Sequence, residues 1–253
     1  MQRRILASLL IGLVVLFLAH AALTSVAQTQ SAPNRTLTPE DVVNVRSVSD
    51  ASISPDGKRI AFVVTEPGDP NKPEKPPDDN IWVVPADGSE PARLFVATPK
   101  SENFLRWSPD GHWLAFLSDR GEDGQPQIWL KRADGGEAEK LTDAKAGVSS
   151  FGWSPDSRMI AFLATDARTD EEQQKQQRRD DAMEVDGNYQ YTRLWVIGLN
   201  DRKSALVTRQ NFDVKDFDWS PNGDSFAIAF AAIPGFLEDW HSTLAVVRQS
   251  DSE

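Results

Sequence analysis

The stretch Arg106-Trp107-Ser108-Pro109-Asp110-Gly111, followed by Leu114-Ala115-Phe116, decides the fold. Ser-Pro-Asp-Gly is a turn with a mechanism. Proline pre-sets φ at the second position, Asp accepts the bridge region at the third, and Gly takes the positive φ that lets a hairpin resume. The Ser hydroxyl can bond the backbone amides that follow it. The same turn returns as Ser54-Pro55-Asp56-Gly57, Ser154-Pro155-Asp156-Ser157 and Ser220-Pro221-Asn222-Gly223. Behind each stands an apolar-Ala-apolar stretch: Ile60-Ala61-Phe62, Ile160-Ala161-Phe162 and Phe226-Ala227-Ile228. Trp107, Trp153 and Trp219 precede the Ser in three copies, and Ile53 holds that slot in the first. Repeats of this size define a modular array.

Two strands flank each turn. A third is marked by an apolar-Trp pair, Ile81-Trp82, Ile128-Trp129 and Leu194-Trp195, with Leu244-Ala245 in the last copy. A polar turn, such as Asp87-Gly88, Asp134-Gly135-Gly136 or Asn200-Asp201, leads to a fourth strand. The expected fourth strands are Ala92–Val96, Glu139–Thr142 and Ala205–Thr208. Four antiparallel strands per repeat describe a propeller blade. The fold class is therefore all-β, a partial β-propeller of about four four-stranded blades, preceded by a signal peptide and a short helix. The blades fall at about residues 46–97, 102–143, 149–209 and 214–253, within a domain spanning 38–253. Insertions sit at about 66–79 and 166–190, where they map to loops. A β-sandwich would explain short strands, but not the same turn and the same Trp recurring in register.

The recurring Trp, Ile and Phe read as core, because blades stack face to face. A buried Trp removes roughly 150–250 Å² from water, an upper-bound gain on the order of 4–6 kcal/mol each. A sugar- or base-stacking role is the weaker reading, since ligand-binding aromatics need not recur in register. The fourth copy offers three strands and no fourth. This favours the front part of a longer protein over a four-bladed ring closing on itself.

Cysteine is absent, which removes disulfides, a thiolate nucleophile and Cys-based metal sites. The formal charge of −11 argues against nucleic-acid partners and adhesion to anionic membranes. The first 27 residues read as a signal peptide: Arg3-Arg4, an apolar run from Ile5 to Ala19, and a small-x-small cleavage site at Ser25-Val26-Ala27. An uncleaved anchor is the alternative, because Ile5 to Ala27 carries no charge and is long enough to span a bilayer. The expected location is periplasmic or secreted, with no membrane attachment after cleavage. Residues 28–37 form a linker. Thr38-Pro39-Glu40-Asp41 opens a short helix to about Val45, with Thr as N-cap and Pro at the first position.

Candidate chemistry is sparse. There is no Gly-x-Ser-x-Gly elbow. His112 takes the hairpin-tip slot held by Lys58, Arg158 and Asp224 in the other copies, so a solvated residue is expected. His241 lies beside Asp239 and Ser242, but sequence adjacency does not give triad geometry. No His pair has metal-ligand spacing. Glu122-Asp123 and Asp78-Asp79 read as solvated loop tips without the ligand pattern of a calcium loop. The polar run Asp170–Asp181 reads as a solvent-facing helix, whose Glu171-Glu172 pair is a weak candidate for gripping a peptide amino terminus. No catalytic residue, cofactor-binding residue or metal ligand is assigned, and no cofactor is expected.

The chain resembles the N-terminal propeller of the prolyl oligopeptidase family of serine peptidases, in particular its acylaminoacyl-peptidase and dipeptidyl-aminopeptidase-like members. The likeness rests on Leu37-Thr38-Pro39-Glu40-Asp41, Val48-Ser49-Asp50, Arg106–Gly111 running into Phe116-Leu117-Ser118-Asp119-Arg120, Asp180-Asp181-Ala182 and Tyr191–Val196. It covers roughly residues 37–247. The Ser-Pro-Asp-Gly turn is shared with the periplasmic propeller of the Tol-Pal system. The resemblance implies a propeller that admits short peptides to an α/β-hydrolase domain supplying Ser, Asp and His. No position here matches those residues, so this chain is expected to be inactive alone. The alternatives are a non-enzymatic exported propeller that binds a protein partner and a complete four-bladed binding module.

Overall fold

The computed structural model describes residues 36–68, 72, 77–178, 189–235 and 242–249. The signal-peptide and linker readings, and the His241–Asp239 pair, fall largely or wholly outside them. Among the described residues no helix is long and apolar enough to cross a membrane.

Among the described residues fifteen strands form four antiparallel meanders. The first sheet holds β1 (Ser47–Ile53), β2 (Arg59–Glu66), β3 (Asp78–Pro85) and β4 (Arg93–Val96). The second holds β5 (Glu102–Trp107), β6 (Trp113–Ser118), β7 (Gln127–Arg132) and β8 (Glu139–Lys140). The third holds β9 (Ser150–Trp153), β10 (Met159–Thr165), β11 (Thr192–Gly198) and β12 (Ser204–Leu206). The fourth holds β13 (Asp213–Trp219), β14 (Ser225–Ala231) and β15 (Thr243–Arg248). Strands are paired in chain order within each sheet, as blades of a propeller require. The chain is a partial β-propeller.

The turns form as their chemistry dictates. Ser54 Oγ donates to Asp56 Oδ1 at 2.6 Å and accepts from the Arg59 amide at 2.9 Å. Ser108 and Ser154 repeat both bonds with Asp110 and Trp113, and with Asp156 and Met159. The hydroxyl donor holds the Asp56 and Asp156 carboxyls below their ordinary value. In the fourth copy Asn222 replaces the Asp, and Ser220 turns its hydroxyl to Asp224 at 3.2 Å. Gly57, Gly111 and Gly223 have φ of 70°, 72° and 77°, and Ser157 adopts 62° in the same slot.

The fourth strands are shorter than the sequence suggests. Beyond Lys140 and Leu206 one backbone bond more is made, from the Leu141 amide to Ile128 and from the Val207 amide to Leu194, and a threonine hydroxyl takes the place of the reciprocal ladder carbonyl. Thr142 Oγ1 accepts from the Ile128 amide at 2.9 Å, and Thr208 Oγ1 accepts from the Leu194 amide at 3.0 Å.

Three cores lie between successive sheets. Each joint sets a small face on a large one. Ala61, Val63, Ile81 and Val83 of the first sheet meet Leu105, Trp107, Leu114 and Phe116 of the second. Ala115, Leu117, Ile128 and Leu130 meet Phe151, Trp153, Ile160 and Phe162. Ala161, Leu163, Leu194 and Val196 meet Phe217, Trp219, Phe226 and Ile228. The central Ala of three repeats, at 61, 115 and 161, is fully buried, which lets the bulky face approach. Each Trp also reaches backwards. The indole N–H groups of Trp107, Trp153 and Trp219 donate to the carbonyls of Ser52, Arg106 and Gly152, each at 3.1 Å.

The described residues also include two short helices. α1 (Pro39–Val43) is capped by Thr38, whose hydroxyl accepts from the Asp41 amide while Asp41 Oδ2 accepts from the Thr38 amide at 2.8 Å. It ends two residues before the expected Val45. α2 (Asp170–Gln177) has its own capping box, in which Glu172 Oε2 accepts from the Thr169 amide at 2.7 Å.

Candidate functional site

Register divides each sheet into two rims. The Ser-Pro-Asp turns occupy one, and the β2–β3, β10–β11 and β14–β15 loops occupy the other. His112 is on the turn rim, with its side chain 71 % exposed and its Nδ1 3.1 Å from Asp110 Oδ2. Ser108, Asp110 and His112 thus stand together, but the order is wrong for nucleophile activation. The serine hydroxyl donates to Asp110, not to the imidazole, and it accepts from the Trp113 amide. Lys58 and Arg158 hold the same slot in neighbouring turns.

The opposite rim of the first joint holds a buried polar cluster that sequence reading missed. Glu102, at the start of β5, is fully buried. Its Oε1 accepts from Thr98 Oγ1 at 2.5 Å and Ser118 Oγ at 3.3 Å, and lies 3.6 Å from the Arg120 guanidinium. Burial raises the Glu102 pKa to about 7, against the hydroxyl donors and Arg120, with Asp78 adding to the rise. Burial likewise lowers that of Arg120, and Glu102 opposes the fall. The guanidinium stacks 4.5 Å from the Trp129 ring centre and 5.0 Å from that of Phe116. Asp78 Oδ1, Asn80 Oδ1, Glu102 Oε2 and Arg120 Nη2 are buried without a hydrogen-bond partner. A carboxyl held near neutrality beside a cation can keep or release a proton there, and the hydroxyls of Thr98 and Ser118 beside it both donate to its Oε1.

Asp78 and Asp79 are accordingly not loop tips. Both open β3, where Asp79 Oδ1 accepts from Thr65 Oγ1 at 2.6 Å and Asp78 Oδ2 accepts from Asn80 at 3.3 Å. The neighbouring sheet buries what a single strand would leave wet. Glu122 and Asp123 do sit on an exposed turn. Glu171 and Glu172 do not act as a pair: Glu172 caps α2, and Glu171 pairs with Lys175 at 3.2 Å. The signal for the cap, Thr169-x-x-Glu172, was present in the sequence. Among the described residues no group of three His, Asp or Glu side chains is placed to hold a metal.

These sheets and turns define a member of the β-propeller class with blades joined by indole-to-carbonyl bonds. The chain belongs to the TolB beta propeller domain family, whose profile matches residues 34–185. It is 32 % identical over 203 residues to an uncharacterized peptidase, YuxL, of Bacillus subtilis, covering 74 % of this chain and 30 % of that protein. It is 27 % identical over 239 residues to dipeptidyl-peptidase 5 of Porphyromonas gingivalis, covering 84 % and 34 %. The chain spans about a third of the length of these relatives. Among solved structures, an acylaminoacyl peptidase in complex with Z-Gly-Gly-Phe-chloromethyl ketone superposes with a TM-score of 0.60 at 20 % identity, over 82 % of this chain and 32 % of that one. The acylaminoacyl peptidase of Pyrococcus horikoshii gives 0.55 at 20 % identity, over 77 % and 30 %. The structural likeness establishes the fold, and the sequence relatives place such propellers in peptidase-family proteins.

Proposed function

We propose that this propeller selects short peptides for an exported serine peptidase, whose hydrolytic groups lie outside the described residues. One observation carries the reading: most of the chain aligns with about a third of a peptidase at 32 % identity. In this reading the sheets, set beside a hydrolase domain, would admit an extended peptide and exclude a folded chain. Export is proposed from Arg3-Arg4, the apolar run and the Ser25-Val26-Ala27 cleavage site.

The test compares this chain with the complete reading frame of its gene, each purified and offered an acylaminoacyl-naphthylamide, a short peptide and a folded protein. The reading expects hydrolysis of the first two by the complete product only. Equal activity towards the folded protein would remove the selecting role. A complete product without hydrolase activity would favour the second reading, a protein-binding propeller, for which the TolB family match is the supporting observation. Cell fractionation with an N-terminal sequence of the exported product tests cleavage after Ala27 against a retained anchor.

A further inference from the structure

Repeats allow one blade to be read against another. In the second sheet Phe116 pairs in register with Trp129, and Arg120, four residues after Phe116, lays its guanidinium over both rings. In the third sheet Phe162 pairs in register with Trp195, their rings near-parallel at 15° with centres 6.5 Å apart. Four residues after Phe162 the chain carries Asp166 instead of an arginine. Asp166 is held by Arg193 Nε at 2.8 Å. Among the described residues the position that Arg120 holds in the second sheet is taken by an acid in the third.

A cavity of about 410 Å³ is lined by Phe162, Trp195, Leu141 and Asp166, with the exposed Asp143 at its edge. Its size is that of a small-ligand pocket. Asp143 uses only Oδ1, on Lys140, and each Asp166 oxygen keeps acceptor capacity beyond its bond to Arg193. Of the two cations on the rim, Arg202 is engaged with Glu139 and the Lys140 carbonyl. Lys145 is the other, and its charge opposes a cationic guest.

We propose that this cavity is a receptor for a guanidinium group, supplied by an arginine side chain of a peptide or protein segment. The planar cation stacks on the half-buried Trp195, whose ring lies beside the buried Phe162, much as Arg120 stacks on Trp129, and its N–H groups donate to Asp166 and Asp143. The pocket is flanked by β12, an edge strand, and by the loop after β8. It is a binding site independent of the peptidase reading, and it survives if that reading fails.

The test is calorimetric titration of the full chain with Nα-acetyl-arginine amide, and with Nα-acetyl-citrulline amide as its uncharged isostere. Saturable binding of the arginine probe is expected, with the citrulline probe weaker by about tenfold or more. Asp166→Asn should weaken arginine binding several-fold, and Trp195→Leu should abolish it. Lys145→Ala should tighten it, an effect that loss of folding cannot mimic. Urea midpoints of all variants separate misfolding from lost contacts. Equal binding of the two probes, no saturation by roughly 0.1 M, or arginine binding unchanged in both Asp166→Asn and Lys145→Ala would overturn the proposal.

Discussion

The hydroxyl oxygen of Ser157 accepts a hydrogen bond from the backbone N–H of Asp110 at 3.0 Å, tying the turn of the third sheet to the turn of the second. The same proximity recurs along the rim: a Cβ on Gly111 would lie 3.8 Å from Pro55 Cδ, and one on Gly223 would lie 3.6 Å from Pro155 Cδ. Ser157 is the one turn residue of its slot that carries a side chain, and it does so at φ 62°. Two terms oppose each other there. The left-handed backbone costs a non-glycine residue roughly 1–2 kcal/mol, and the inter-turn bond contributes about 1 kcal/mol. Ser157→Gly should therefore be close to neutral. Ser157→Ala keeps the strained backbone and loses the bond, and should cost about 1–2 kcal/mol. Urea unfolding midpoints at constant m-value read the order. Equal stability of the Ala and Ser proteins would show that the bond contributes nothing.

The indole bonds predict a second asymmetry. Trp153 is 9 % exposed and donates to the Arg106 carbonyl, so Trp153→Phe removes that cross-sheet bond and opens a small void. A loss of about 1–3 kcal/mol is expected. Trp219 makes the equivalent bond to Gly152 but is only half-buried, so Trp219→Phe should cost less. Equal losses would mean that ring volume, not the N–H, decides the joint.

How much of this was legible in the sequence depends on how local the cause is. The turns were, because Ser, Pro, Asp and Gly each act within five residues of themselves. The strands themselves were, because their apolar stretches recur at a fixed offset from each turn. The target of each indole was not: alternation assigns a Trp to a face, but which carbonyl it reaches is set by the neighbouring sheet. Glu102, Asn80 and Arg120 escaped notice for the same reason. A polar residue at a strand end reads as wet until a second sheet covers it, and Asp78 was misread on that ground. The short fourth strands were hidden because Thr142 and Thr208 replace ladder bonds with side-chain bonds that no strand pattern encodes. The empty place beside Trp195 was open to a reader who aligned Arg120 with Asp166, but only the cavity gives that difference a meaning.

Glu102 makes stability depend on pH. Its pKa is about 7 in the folded chain and near the ordinary glutamate value of 4.5 when unfolded. Between those values the folded state holds the extra proton, so stability falls as pH rises from 4.5 through 7 and is flat beyond. The total is on the order of 3 kcal/mol. Glu102→Gln fixes the protonated form's charge, and should flatten this slope while leaving stability at pH 4 almost unchanged. Urea midpoints at pH 4, 6 and 8 check it. A wild-type protein that gains stability between pH 5 and 7, with the same gain in the Gln variant, would place the dominant titration elsewhere.

The register position of Leu194 repeats at Leu244, and the two differ in what covers them. Ile81, Ile128 and Leu194 are fully buried between sheets, while Leu244 is 81 % exposed and its face-mate Val246 75 %. The sequence pattern is one and the same, an apolar residue ahead of the third-strand Trp or Ala slot, so the difference comes from the neighbour alone. Leu194→Ala should cost about 2–5 kcal/mol, because it opens a cavity in the third core. Leu244→Ala should change stability by less than about 0.5 kcal/mol. The same pair of substitutions reports on coverage in any longer product of the gene. If a further sheet sets a bulky face on Ala227, Ala229, Leu244 and Val246, Leu244→Ala becomes as costly as Leu194→Ala. If its cost stays near zero there, the fourth sheet's outer face remains in water and takes no blade.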